Sequence, residues 1–203
     1  MPGKGYRDAD IVLGSYDRDK DEVAKGAEEL LCRWHLYEES VSKRCDKNIV
    51  AITSSDGARD HIDLDGVLLV DIGGKRVEGR KNPPEDLHLH LGLYGTAAEL
   101  NVAVHTYSTF ASAAACAGKS IPQVTDRLTS ALGGEIEVVE YADVNAVAAA
   151  LKSKRACLLS GHGVLATGKT VSEAVRVADA VEKAAQIFAI STLLSTAGNP
   201  RKT

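Results

Sequence analysis

Apolar positions recur every three or four residues between Asp19 and Tyr37, with Val23, Ala27, Leu30, Leu31 and Trp34 on one stripe. That spacing predicts an amphipathic helix, and Asp17 or Asp19 is available to cap its start. The pattern then shortens. Val41–Cys45 and Ile49–Thr53 read as two short strands joined by Asp46-Lys47-Asn48, residues suited to a turn. Val67–Ile72 and Arg76–Glu78 read as a hairpin across Gly73-Gly74. Pro83-Pro84 opens a helix over Glu85–Thr96, since proline suits a first helical turn and Glu85 and Asp86 suit its positive end.

The second half alternates. Asn101–His105, Ile136–Tyr141 and Ala156–Ser160 have the length and composition of strands. Between them lie two alanine-rich helices, Ser108–Ala117 and Asp143–Lys152, and a variable segment around Pro122–Gly134. A long helix from Ser172 to about Leu194 closes the pattern, opened by Thr170 and Glu173 in a capping-box arrangement. Early hairpins followed by βα units predict a layered α/β fold with a mixed sheet. The 203 residues suffice for one well-buried domain, 1–203, with 1–18 as an N-terminal extension and 197–203 as a tail.

Composition narrows the function. The formal net charge is -4 with both signs interspersed, and no basic stripe suggests nucleic acid. No apolar run approaches the roughly 20 residues that span a bilayer. The first residues, Met-Pro-Gly-Lys-Gly-Tyr-Arg, lack the apolar centre of a signal peptide. These features predict a soluble, cytoplasmic protein with no membrane partner. The four cysteines form no Cys-x-x-Cys pair, which argues against zinc-finger and thioredoxin chemistry. Cys116 and Cys157 sit among alanine and leucine and read as small buried hydrophobes. A Cys32–Cys45 disulfide would need an oxidising compartment or a hyperthermophile.

Two histidines stand at the ends of apolar runs. His105 closes Asn101-Val-Ala-Val-His, and His162 follows Ala156-Cys-Leu-Leu-Ser-Gly within Gly161-His-Gly163. Ligands collect beyond strand ends in α/β sheets, so these imidazoles are candidate metal ligands. His88 and His90 lie about 200° apart on their helix, so His90 shares a face with Asp86 and His88 faces solvent.

Three segments together resemble the class II aldolases and their adducin-like relatives: Leu87-His-Leu-His-Leu-Gly-Leu-Tyr94, Asn101-Val-Ala-Val-His-Thr-Tyr-Ser108, and Leu158-Leu-Ser-Gly-His-Gly-Val-Leu-Ala-Thr-Gly168 with Glu173-Ala. The resemblance covers about residues 20 to 195. It implies a three-layer α/β/α domain with a mixed central sheet, a homo-oligomer, usually a tetramer, and a divalent metal, typically Zn²⁺. By that resemblance His105 and His162 fall on two metal-ligand histidines, Asp86 on the acidic residue, and Tyr107 on a position where the family carries a third histidine. Glu85 would serve as the acid if the register slipped by one.

By the resemblance the phosphate-contacting positions fall on Ser40, Ser55 and Gly57, in segments that depart from the family's. Ser40 replaces an asparagine, the Ile52-Thr-Ser-Ser-Asp-Gly57 loop is one residue longer, and Pro84-Glu85 replaces a serine pair. A carboxylate there repels a phosphate dianion. Lys43 or Arg44 could compensate, but strand alternation points them to opposite faces. The resemblance implies a lyase that breaks a carbon–carbon bond in a small hydroxy-carbonyl or sugar-phosphate substrate through an enediolate. Epimerisation or decarboxylation on the same scaffold, and a non-catalytic binding or assembly role, are the alternatives. Asp126 lies where some members place a catalytic residue, and reads as a surface aspartate.

Overall fold

The computed structural model describes residues 16–34, 39–55 and 62–197. Gly57, the expected last residues of the first helix (35–37), most of the N-terminal extension and most of the tail lie outside the described residues. The chain opens with helix α1 (Asp17–Trp34) and strands β1 (Ser40–Arg44), β2 (Ile49–Thr53), β3 (Val67–Asp71) and β4 (Arg76–Glu78). Helix α2 (Leu87–Thr96), strand β5 (Val102–Thr106) and helices α3 (Thr109–Cys116) and α4 (Asp126–Leu132) follow. Strand β6 (Val138–Val139), helix α5 (Val144–Leu151), strands β7 (Ala156–Leu159) and β8 (Val164–Gly168), and helix α6 (Val171–Ala197) complete it.

These strands form one sheet in the order β4-β3-β2-β1-β5-β8-β7-β6. Neighbours pair antiparallel except β6 and β7, which are parallel. Alternation along each strand divides the core in two. Val41, Val104, Leu158 and Ala166 face α1, α3, α4 and α6, whereas Ile52, Ala103, Cys157 and Leu165 face α2 and α5. The result is the expected three-layer α/β/α arrangement around a mixed sheet.

Three differences from the sequence reading have local causes. Strand β8 was not expected, because Val164–Gly168 is short, half small residues, and sits directly behind Gly163. Helix α4 falls in the segment read as variable. Its start is capped by Thr125 Oγ1, which accepts from the Leu128 N–H at 3.3 Å, and its end by Gly133 at φ 88°. Cys116 is exposed, on the outer face of α3, while Cys157 is buried as expected. All four cysteines are free thiols, Cys32 and Cys45 included. Among the described residues no helix is long and apolar enough to cross a membrane.

Candidate active site

The antiparallel register of β1 and β5 sets Ser40 opposite His105, on the face covered by α2. Asp86 occupies the N-cap position of α2, yet its side chain makes no capping bond. It turns instead towards the sheet. Ser40 Oγ donates to Asp86 Oδ2 at 2.5 Å, and His105 Nδ1–H donates to the same oxygen at 2.6 Å. His105 Nε2–H donates to the His162 carbonyl oxygen at 2.5 Å. Both ring nitrogens therefore face acceptors, which the doubly protonated imidazole satisfies. Burial alone would raise the Asp86 carboxyl, but His90 and His105 outweigh it and hold the group well below the usual carboxylate range.

A tight turn between β7 and β8 delivers the His162 carbonyl. Gly161 and Gly163 adopt φ 70° and 76°, and a Cβ on Gly163 would lie 2.2 Å from the Thr106 carbonyl oxygen. Glycine at 163 is thus required both by the backbone angle and by the close approach of β5.

Behind Asp86 runs a buried chain of hydrogen bonds. Tyr94 Oη meets Ser42 Oγ at 2.8 Å, Ser42 Oγ meets His90 Nδ1 at 2.7 Å, and His90 Nε2 meets Ser40 Oγ at 2.8 Å. Ser40 donates to Asp86 and accepts from His90 Nε2–H, while the Tyr94 hydroxyl also reaches the Ser42 and Asn101 carbonyl oxygens at 3.1 and 3.4 Å. His90, fully buried on α2, is a supporting residue, as its helical position suggested.

In front of Asp86 lies a cavity of about 470 Å³, within the roughly 300–1,000 Å³ usual for small-molecule sites. Glu85, Asp86, His105, Tyr107, Ser55 and His162 all border it. Of these Glu85 and Ser55 are exposed, while Asp86 and His105 are buried. Ser40 supports the cavity through Asp86. Tyr107 packs against His105 with ring centroids 4.9 Å apart. His88 is exposed, with its ring edge-on to Tyr141, and Asp126 is exposed at the start of α4.

The sequence reading missed four residues. Tyr141 borders the cavity and stacks on His162 at 4.0 Å, and burial, reinforced by the Asp86 charge, pushes its hydroxyl up to about 12. Ser54 and Glu39 also border it. Burial raises the Glu39 carboxyl to about 8. Glu182, buried on α6, accepts from the Phe110 N–H at 3.0 Å and the Ala111 N–H at 2.9 Å, so it caps α3 just after Tyr107. A glutamate on an otherwise alanine- and valine-rich stripe was the signal available for Glu182.

A metal site of three side chains does not fit this arrangement. His105 commits both nitrogens to acceptors, one of them a backbone carbonyl, and the His162 ring stacks on Tyr141. Among the described residues no group of three or more His, Cys, Asp and Glu side chains could share an ion.

Residues 38–189 match the family described as the Class II Aldolase and Adducin N-terminal domain. The chain belongs to this family. It is 29% identical over 128 residues to a 5-methylthioribulose-1-phosphate/5-deoxyribulose-1-phosphate aldolase of Rhodospirillum rubrum, a match covering 60% of this chain and 58% of that protein. The chain thus spans less than two thirds of that relative's length. It is 30% identical over 172 residues to the L-ribulose-5-phosphate 4-epimerase UlaF of Salmonella paratyphi B, covering 76% and 75% of the two chains. A solved L-fuculose 1-phosphate aldolase shares the fold, with a TM-score of 0.79 at 23% identity, over 95% of this chain and 92% of that one. The family thus includes both aldolases and epimerases whose names specify sugar phosphates.

Proposed function

We propose that the chain is a lyase of the class II aldolase type, acting on a small hydroxy-carbonyl compound through an enediolate. The observation that carries this reading is Asp86. Its Oδ2 is fixed by Ser40 and His105, while its Oδ1 is buried, has no partner among the described residues and belongs to a residue bordering the cavity. A substrate C–H proton α to a carbonyl would pass to Oδ1, and the enediolate left behind would add to an aldehyde carbon, whose oxygen takes up a proton, as the carbon–carbon bond forms; cleavage is the reverse. Its lowered pKa keeps Asp86 ionised at neutral pH but makes it a weak base. Much of the barrier must therefore fall to stabilisation of the enediolate oxygen. Tyr141, kept protonated, supplies a donor, and the His105 ring adds positive charge nearby.

The family resemblance implies a divalent ion, but the contacts of His105 argue against a ready-made three-ligand site, so these steps run through the protein's own groups. Epimerisation is the second reading, favoured by aspartate at position 86 and by the likeness to UlaF. A homo-oligomer, a tetramer by the same resemblance, is supported by the exposed Ile190, Leu193 and Leu194 near the end of α6.

The test is hydrogen exchange at the hydroxymethyl carbons of dihydroxyacetone in D₂O, followed by NMR with and without added Zn²⁺. Wild type should catalyse exchange, and Asp86→Asn should lose on the order of 10²-fold or more. Wild-type protein that is silent under both conditions would move the reading to a non-catalytic binding role.

A further inference from the structure

Glu39 directly precedes β1, and its neighbour Ser40 holds Asp86. Glu39 Oε1 is buried and has no partner among the described residues, and the same is true of Ser54 Oγ, on a residue 5% exposed. Both residues border the cavity that Asp86 borders. A carboxylate buried without a donor is disfavoured, and the neutral acid is its stable form. Burial raises this carboxyl to about 8, so at pH 7 it carries its proton. A neutral carboxyl has one O–H donor, and a serine hydroxyl has another.

The titratable groups that border the cavity with Glu39 are Glu85 and Asp86 at the start of α2, His105 and Tyr107 at the end of β5, Tyr141 ahead of α5, and His162 in the turn between β7 and β8. Asp86 is committed to Ser40 and His105, and Tyr141 keeps its own proton up to about 12. None of these groups enters the shift of Glu39, which burial causes alone. The two O–H groups of Glu39 and Ser54 therefore await acceptors on a ligand. A neutral ligand hydroxyl answers one of them. An oxyanion answers both, and a hydrogen bond to an ionised acceptor is roughly twice as strong as one between neutral groups. An anion beside Glu39 also favours the protonated acid, since like charges disfavour ionisation.

We infer that Glu39 is a specificity-determining residue that recognises an oxyanion at one end of the ligand as a neutral acid, with Ser54 as the second donor. Binding is thereby coupled to one proton. The anion is held while Glu39 is protonated and is released as the carboxyl ionises, when two like charges would meet in a desolvated place. This rests on the reading of the cavity as the substrate site, and it adds that one end of the hydroxy-carbonyl substrate is a phosphate or a carboxylate.

The experiment titrates the full chain with glycerol phosphate, glycolate and glycerol by isothermal calorimetry between pH 7.5 and 9.5. A phosphate monoester, with a second pKa of about 6, and a carboxylate both keep their charge across this range, so any slope belongs to the protein. Wild type should bind one of the two anions with an affinity that falls on the order of tenfold or more as pH rises and Glu39 ionises. Buffers of different ionisation enthalpy should reveal uptake of up to one proton at the alkaline end. The tighter arm identifies the end as phosphate or carboxylate, and glycerol should bind roughly tenfold more weakly at pH 7.5. Glu39→Gln keeps a donor and cannot ionise, so it should hold the anion with a flat profile. Glu39→Ala should be flat as well and several-fold weaker at pH 7.5. A flat wild-type profile, a slope that persists in Glu39→Gln, or anions bound no better than glycerol would overturn the inference. Circular dichroism at both ends of the range checks folding of each variant. The profile is separable from the exchange assay: a failed lyase reading silences exchange and leaves the slope, whereas a failed inference here removes the slope and leaves exchange.

Discussion

At one end of the cavity Asp86 has an oxygen gripped by Ser40 and His105, with a further chain through His90, Ser42 and Tyr94 behind it. At the other, Glu39 and Ser54 present buried atoms that no group among the described residues meets. Both carboxyls are desolvated, yet their acidities move apart. Asp86 is held down because donors surround it, and Glu39 is pushed up because burial acts without compensation. The difference separates a framework, satisfied by the protein, from a recognition surface waiting for ligand groups.

The sharpest way to break this contrast is Asp86→Ala. It leaves the His105 charge and the Ser40 hydroxyl buried without their acceptor, and should cost about 3–5 kcal/mol in urea unfolding. Glu39→Ala should cost far less, since no bond is lost. Equal losses would mean that the two ends are built alike. Next comes Gly163→Ala, which strains a positive-φ position and drives a methyl into the Thr106 carbonyl. A loss of about 1–3 kcal/mol is expected, with a shifted His105 ring resonance as the His162 carbonyl moves. Ser42→Ala interrupts the chain between Tyr94 and His90 and should lose about 1–2 kcal/mol, measured by thermal or urea unfolding.

A different readout of the same contrast is the pH dependence of stability. The folded Glu39 carboxyl titrates at about 8 and the unfolded one near 4.5. Between those values the folded state holds a proton the unfolded state has lost, so this group makes stability fall as pH rises. Asp86 acts with the opposite sign and in another window. Its stabilisation is present above its unfolded value of 3.8 and is lost as pH falls below it. Glu39→Gln should therefore flatten the melting temperature between pH 4.5 and 8 and leave the acid limb alone. A mutant whose slope matches wild type would refute the assignment.

Much of the architecture was legible because alternation and helical spacing mark which face of each element is covered. The edges of that legibility are physical. Strand β8 was hidden because its neighbours β5 and β7, not its own composition, make Val164–Gly168 a strand. At the site, Asp86, His105 and His162 stood out through their motifs. The bond from His105 to the His162 carbonyl did not, because a backbone acceptor leaves no trace in side-chain identity. Glu39 and Tyr141 were equally silent. Their importance comes from burial beside one cavity, and residues 39 and 141 are far apart in the chain.

Glu182 has a consequence for the order of assembly. Helix α3 is eight residues long and alanine-rich, short of the roughly 12–15 residues at which an isolated helix becomes even marginally stable. The first amides of that helix are answered by a carboxylate 72 residues downstream. Helix α3 therefore gains its starting point when the last long helix docks. The wall beside Tyr107 therefore takes shape only after residue 182 has been made.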